Sequence, residues 1–312
     1  MLRLTESRLM GPTGTGKSTF INLLTKDDNI RVGHDLESQT TNISTSVWHD
    51  EKSGLSVTLV DTPGFDDSRS DITDTDILQK IADFLQENSI STGNLISGGR
   101  NINGIIYLHR ISDPRVGGAA KKNLRLFREL CGEDMLRNVR LVTTNWDNVS
   151  DKEGNSREAE LASRIFKPLI DAGAKMVRHD KGPISAQSIM STLVHQEPTA
   201  MKIQGELDAG IPLGDTSAGA VIIEEMKELK KKHDEEMQDL LKELQDATMA
   251  NDEDLRAELA EERQKLEESM ARAEQDQQRL TTLAYAPQGL PTETLPQTPF
   301  KITVDFGVGV EL

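Results

Sequence analysis

The sequence predicts an α/β fold, three layers built around a mostly parallel sheet, followed by a long helical tail. Three observations predict it. Short apolar runs alternate with helix-period stretches as far as residue 194, the pattern of strand–helix–strand units. A glycine-rich loop, Gly11-Pro12-Thr13-Gly14-Thr15-Gly16-Lys17-Ser18, precedes a short amphipathic run. From residue 220 the composition turns to Glu, Lys, Gln and Leu, with neither Gly nor Pro until Pro287, which is helical composition.

The chain has 312 residues, room for one α/β domain and a further element. Its formal net charge is −16, which argues against general binding to nucleic acid or to an anionic membrane. Cys131 is the only cysteine, so no internal disulfide forms. It ends the apolar-periodic run Leu124-Phe127-Leu130 and reads as a core residue, in keeping with a reducing compartment. No run of about 18 apolar residues, no signal peptide and no C-terminal lipidation pattern is present, so a soluble, cytoplasmic protein without a transmembrane segment is expected.

In chain order, the approach to the loop is Met1–Met10, where Glu6 and Arg8 are costly in a central strand. Either the strand is short, Arg8–Met10, or the start is not that of a well-formed domain. A helix at 18–24 turns Phe20, Ile21, Leu23 and Leu24 to the sheet. Residues 27–42 read as a loop. Strands at 43–49 and 55–60, joined through Ser53-Gly54, form an antiparallel hairpin. A helix at 72–88, a buried strand at 104–109, a helix at 119–131 and a strand at 138–145 follow. Then come a helix at 156–171, kinked or ended near Pro168, a short strand at 174–178 and a helix at 185–194. Residues 1–195 are thus one domain. Residues 196–219, rich in Gly, Pro, Ser and Thr, read as a linker. Residues 220–285 form the helical tail. Apolar residues at Ile222, Met226, Leu229, Met237, Leu240 and Leu244 make a helical stripe, and Leu259, Leu266, Ala273 and Leu280 keep a seven-residue step. Glu262, Ser269 and Asp276 fall where a coiled coil wants apolar side chains, which leaves a solvated helix and a coiled coil as alternatives. Residues 224–279 hold 19 acidic and 10 basic residues, over half of the chain's excess negative charge. Residues 286–312 begin Pro-rich and read as disordered.

The loop at 11–18 has the G-x-x-x-x-G-K-S spacing of a P-loop, which makes the domain a P-loop NTPase fold. Gly11, Gly14 and Gly16 let successive backbone N–H groups face phosphate oxygens. Thr13, Thr15 and Thr19 complete the candidate cradle. Lys17 reaches the β- and γ-phosphates, and the Ser18 hydroxyl ligates Mg²⁺. Asp61-Thr62-Pro63-Gly64 is D-x-x-G at a strand end: Asp61 on the metal side, the Gly64 N–H on the γ-phosphate. Thr40, or its neighbour Thr41, supplies the loop hydroxyl that completes the Mg²⁺ shell in the triphosphate state. Thr144-Asn145-Trp146-Asp147 follows a strand where guanine is read. The Asp147 carboxylate accepts from guanine N1–H and the 2-amino group, a pair that adenine cannot offer, and Thr144 fits the first position. Asn145 replaces the usual Lys. Trp146 either covers the base or packs inward. Ser185-Ala186 resembles, over two residues, the pair whose backbone reads the guanine oxygen. Phe65 stands where many GTPases place a Gln that orients water, so slow hydrolysis is expected, with Thr40 and Gly64 the candidates for the catalytic centre. His34 reads as a solvated loop residue or as a group acting across a dimer interface.

Residues 8–195 resemble a septin-like GTPase domain of the class containing septins, chloroplast import GTPases and immunity-associated GTPases. The resemblance rests on GPTGTGKSTFIN at 11–22, VGHDLESQT at 32–40, DTPGFDD at 61–67, YLHRISD at 107–113 and TTNWD at 143–147. It is nearest in look to fungal proteins of that class. It implies binding of GTP and GDP with Mg²⁺, dimer-dependent hydrolysis and a homodimer formed through the G domain or the tail. The alternatives are a non-enzymatic coiled-coil scaffold with a structural or vestigial nucleotide site, and an ATP-binding P-loop protein.

Overall fold

The structure, a computed structural model, describes residues 4–12, 14–26, 43–62, 73–90, 102–250 and 252–285. Its elements in chain order are β1 (Leu4–Met10), α1 (Lys17–Thr25), β2 (Ser44–Asp50), β3 (Leu55–Asp61), α2 (Asp74–Ile90), β4 (Gly104–Arg110), α3 (Gly118–Cys131), α4 (Glu133–Leu136) and β5 (Val139–Thr144). There follow α5 (Asp151–Glu160), a π-turn (Leu161–Ile165), α6 (Lys167–Asp171), β6 (Lys175–Arg178), α7 (Gly182–Ser191), α8 (Lys202–Asp208), α9 (Ser217–Ala250) and α10 (Glu253–Thr282).

Among the described residues, six strands lie in the order β2-β3-β1-β4-β5-β6. Only β2 runs antiparallel to its neighbour. Helices cover both faces. One core holds Phe20, Ile21, Leu59, Ile106, Val142 and Ile189 under α1 and α7, and the other holds Ile77, Ile81, Tyr107, Phe127, Leu141 and Phe166 under α2 and α3. Alternate residues of β4 and β5 feed the two cores, which is why these strands read as continuous apolar runs. The Cys131 side chain is buried in the second core, and burial pushes its thiol well above the usual range.

Four expectations are corrected. First, β1 is a seven-residue central strand rather than a stub, paired in parallel with β3 from Leu4↔Ser56 to Leu9↔Asp61 and with β4 from Ser7↔Gly104 to Met10↔Tyr107. Arg8 is tolerated there because its guanidinium lies 5.4 Å from the centre of the Phe84 ring, a cation–π placement that the local sequence does not show.

Second, the helix expected to start at 156 starts at Asp151, where the Ser150 hydroxyl caps it by accepting from the Glu153 N–H. It gives way at Leu161 to the π-turn, before Pro168 is reached.

Third, residues 196–219, expected as a linker, pack against the domain on their way to α9. Met201, Ile203, Leu207 and Leu213 are buried, and Thr199 bridges to Ile102. Gly and Pro mark the turns here, while the apolar residues between them fill the core.

Fourth, the tail is a hairpin. Asp252 caps α10 through a 3.0 Å bond from the Leu255 N–H, and α10 returns antiparallel along α9. Lys230 pairs with Glu274 at 2.6 Å, and Met226 and His233 face Met270 and Ala273. The stripe and the seven-residue step therefore meet each other within one chain. Asp276, off-pattern for a coiled coil, instead bonds Thr73 and Arg279 at the base of the hairpin. There Leu280 is fully buried, Arg279 bonds Asp76 at 2.8 Å and the Tyr285 hydroxyl donates to Asp83 at 2.6 Å, so the hairpin is seated on α2. On the other side Lys122 of α3 bridges Asp74 and Glu225. Residues 286–312 lie outside the described residues.

Candidate nucleotide site

The carboxyl ends of β1, β3 and β5 bring the motifs together, as expected of a parallel sheet. The loop after β1 has the shape its glycines predict. Gly11, Gly14 and Gly16 hold φ of 136°, 74° and 91°, where L side chains are strained. At Gly11 a Cβ would also meet the Leu108 carbonyl oxygen at 2.5 Å, so nothing larger fits. Thr15 is buried, and its hydroxyl donates to the Pro12 carbonyl at 2.9 Å. Lys17 opens α1. Its ammonium donates to the carbonyls of Gly11 and Pro12 at 3.1 and 3.0 Å, across the mouth of the loop. Thr19 is exposed on the next turn. Thr13 lies outside the described residues, as do Thr40, Thr41, His34, Gly64 and Phe65.

Asp61 ends β3 beside the loop. The Ser18 hydroxyl donates to Asp61 Oδ2 at 2.7 Å, while the buried Asp61 Oδ1 has no hydrogen-bond partner among the described residues. Burial holds this carboxyl above the usual carboxylate range, against the opposing pull of Ser18 and Lys17. A buried carboxylate oxygen without a donor, next to a serine hydroxyl, is a hard-oxygen donor set. It fits a Mg²⁺ ion bridging to a phosphate.

Two threonines that the motifs leave in minor positions turn out to brace the site. Thr62 is buried, and its hydroxyl donates to the Leu9 carbonyl at 2.8 Å, locking the D-x-x-G strand end to β1. The Thr144 hydroxyl donates to the Thr15 carbonyl at 3.0 Å, tying the end of β5 to the P-loop. A small hydroxyl at the end of an apolar strand, or just past it, was the available signal.

At the β5 end, Asn145 takes a left-handed φ of 59° and starts a single 3-10 turn, Trp146–Asn148. The Asp147 side chain on that turn is exposed. Trp146 packs inward. Its indole N–H donates to the Thr143 carbonyl at 3.2 Å, its ring lies against Gly154 and Val149, and the Arg178 guanidinium covers it at 4.3 Å. Ser185 and Ala186 are buried within the first turns of α7. The Ser185 hydroxyl donates to the Gly182 carbonyl and accepts from the Lys181 N–H, both at 3.0 Å. The residues that follow the β6 edge are His179–Lys181, and burial lowers the His179 pKa.

Residues 7–95 match a family model described as 50S ribosome-binding GTPase. Over these residues the chain is similar to GTPase G domains. Over 141 residues, 45% of the chain, it is 29% identical to GTP-binding protein A of Dictyostelium discoideum, and it spans 28% of that relative's length. Among solved structures it is similar to Toc33 from Arabidopsis thaliana in complex with Mg²⁺ and GMPPNP, with a TM-score of 0.47, 16% identity and coverage of 64% of this chain and 89% of that one. It is also similar to a bacterial selenocysteine-specific elongation factor, with a TM-score of 0.41, 15% identity and coverage of 61% and 28%. Among the described residues of the G domain and hairpin, no helix is long and apolar enough to cross a membrane.

Proposed function

We propose that the chain is a guanine-nucleotide switch with slow intrinsic GTPase activity, binding GTP–Mg²⁺ through its P-loop. The observation that carries this is the pairing of Asp61 with Ser18 beside Lys17: a buried carboxylate with one oxygen lacking a donor, at the mouth of a loop only glycines can form. In this reading the N–H groups of Thr13–Thr19 cradle the phosphates and Lys17 leaves its own loop carbonyls for the β- and γ-phosphates. Ser18, Asp61 and Thr40 hold the metal, which neutralises charge on the phosphates when bound. The Gly64 N–H meets the γ-phosphate, and Asp147 selects guanine. Thr144 acts on the P-loop rather than on the base. Phe65 in place of a water-orienting Gln makes hydrolysis slow unless a second copy supplies polar groups, in line with a septin-like class of dimerising GTPases acting in the cytoplasm. The hairpin pairs with itself, which favours the switch over a coiled-coil scaffold.

Titration with labelled GDP and ATP tests the reading. Micromolar GDP binding that is lost in Lys17→Ala is expected; equal affinity for ATP removes the guanine assignment, and no binding of either removes the switch. Turnover per molecule that rises with protein concentration is the expected sign of activation by a second copy, and a constant value argues against it.

A further inference from the structure

On the flank of the P-loop, away from Asp61, lies a pocket of about 300 Å³ between the exit of β4, the start of α3 and the π-turn. It is basic in an acidic chain. Arg110, Arg115, Lys121, Arg157 and Arg164 line it, against the carboxylates of Asp113 and Glu160, for a net charge of three positive.

Three of the cations already have partners. Arg110 pairs with Asp113 at 3.0 Å, Arg164 pairs with Glu160 at 3.0 Å, and Arg157 donates to the carbonyls of Ile111 and Ser112 at 3.1 and 2.9 Å. Arg115 and Lys121 are different. Both are exposed at the rim, and their side chains make no hydrogen bond or ion pair among the described residues.

His109 gives a second, independent observation. Its side chain is 5% exposed, it lines the pocket, and its ring stands edge-on to Phe166 at 5.5 Å. No hydrogen bond from its ring nitrogens is made among the described residues, and they are not enclosed in the protein, so they are open to the pocket. Burial lowers the pKa of this imidazole, Asp113 opposing it and Arg110 adding to it; the neutral ring that this favours carries one donor and one acceptor nitrogen. The π-turn forms one wall, and such turns recur at functional sites. Ile111, Leu161 and Ile165 give the remaining wall an apolar surface.

We propose that this pocket is a second anion site, distinct from the P-loop, that takes a small organic phosphate: His109 donates to it from the floor, Arg115 and Lys121 close on it from the rim, and the apolar wall holds its organic part. Nothing in the nucleotide reading uses these groups. Arg110 joins the two sites physically, because its guanidinium lies 3.1 Å from where a Cβ on Gly14 would stand.

The test is calorimetric titration of the full chain with phenyl phosphate and with inorganic phosphate. It is run on GDP–Mg²⁺-saturated protein and on Lys17→Ala, in which the P-loop route is closed. Saturable binding in both is expected, tighter for phenyl phosphate; equal affinity for the two probes keeps the anion site and assigns it to free phosphate. Arg115→Ser with Lys121→Gln, both at exposed positions, weakens binding by about a hundredfold, at roughly tenfold for each charge-assisted hydrogen bond removed. His109→Gln shifts affinity and removes the one imidazole signal that moves on titration. Absence of saturable binding in both proteins overturns the site, as does an affinity unchanged by the rim substitutions. So does loss of self-association in the rim variant with phosphate binding intact, which assigns those cations to an interface between copies. Because the Lys17→Ala arm needs no bound nucleotide, failure of the nucleotide reading leaves this result interpretable.

Discussion

In the proposed reading, the phosphate end and the base end of the nucleotide site are built in opposite ways. At the phosphate end the backbone is over-determined. Three glycines sit at positive φ, a Leu108 carbonyl presses on Gly11, Thr15 closes the loop on itself, Thr62 ties the end of β3 to β1, and Thr144 ties the end of β5 to the loop. At the base end a single 3-10 turn presents one exposed carboxylate, Asp147. The residue that ordinarily stacks a lysine stem on the base is Asn145, and the nearby aromatic, Trp146, has turned to the interior. A ligand gripped at one end and merely selected at the other draws its affinity from phosphate and its identity from a few polar groups. The two ends should therefore fail differently when mutated.

The largest effect is expected at Lys17. Lys17→Ala removes charge-assisted hydrogen bonds, worth about 1.5–3 kcal/mol each, to the β- and γ-phosphates of GTP and to the β-phosphate of GDP, so affinity for both falls, by about a hundredfold or more for GTP and by less for GDP. Fluorescence titration with labelled nucleotides measures both. A loss confined to one of them would break the picture of a common phosphate grip.

Asp147→Asn comes next and acts on selectivity alone. An amide offers guanine N1–H the wrong partner, and a site built around a polar pair discriminates strongly when that pair is broken. Guanine nucleotides lose about a hundredfold and xanthine nucleotides gain, with phosphate affinity untouched. Unchanged preference for guanine over xanthine would show that Asp147 does not read the base.

The base end was also the harder one to read from sequence. The P-loop is a backbone requirement that only particular residues meet, so its letters fix its geometry. Ser185-Ala186 matched a pattern by two letters, and α7 has buried both. The order of strands and helices was legible because burial on two faces leaves continuous apolar runs. What was not legible depends on neighbours distant in the chain. Arg8 looks prohibitive in a strand until Phe84 stands beside it. The seven-residue step of α10 looks like an unfinished coiled coil until α9 is seen to complete it. Met201, Ile203 and Leu207 look incidental in a Gly- and Pro-rich stretch until the core is seen to need them.

Asp61→Asn sharpens the comparison from the phosphate side, because it has two effects of opposite sign. The folded-state pKa of Asp61 is raised by burial, so the folded protein binds a proton more tightly there than the unfolded chain does. Its contribution to stability therefore declines as pH rises from the ordinary aspartate pKa through the raised value, and the ionised group is a net cost above it. Without metal and nucleotide, Asn at this position keeps the bond from Ser18 and removes the buried charge. The melting temperature then rises by roughly 2–4 °C near neutral pH, the shift expected for a 1 kcal/mol change at this size. The gain vanishes at pH below the ordinary aspartate value. With Mg²⁺–GTP present the same variant is the less stable one, since the ligand no longer finds its donor set. Calorimetry in both conditions checks the crossing, and a variant destabilised in both would mean that Asp61 is structural rather than metal-facing.

The smallest effect belongs to Trp146, and it decides which way the base end is built. The indole N–H bond to Thr143 and the packing against Gly154 and Val149 make Trp146 a support for the turn that carries Asp147, not a cover for the base. Trp146→Phe keeps most of the apolar area and loses one hydrogen bond, so it costs about 1 kcal/mol of stability, within the usual range for a single neutral bond. Removing the Arg178 guanidinium from above the ring, by Arg178→Gln, adds a further loss of about 0.5–1 kcal/mol. Neither substitution changes the ratio of GDP to xanthosine-diphosphate affinity if the ring faces inward. A Trp stacked on guanine predicts the reverse: little change in melting temperature, a drop in affinity for every purine nucleotide, and tryptophan fluorescence quenched on binding that disappears in Trp146→Phe. With only one other tryptophan in the chain, Trp48 on the edge strand β2, that fluorescence difference separates the two arrangements directly.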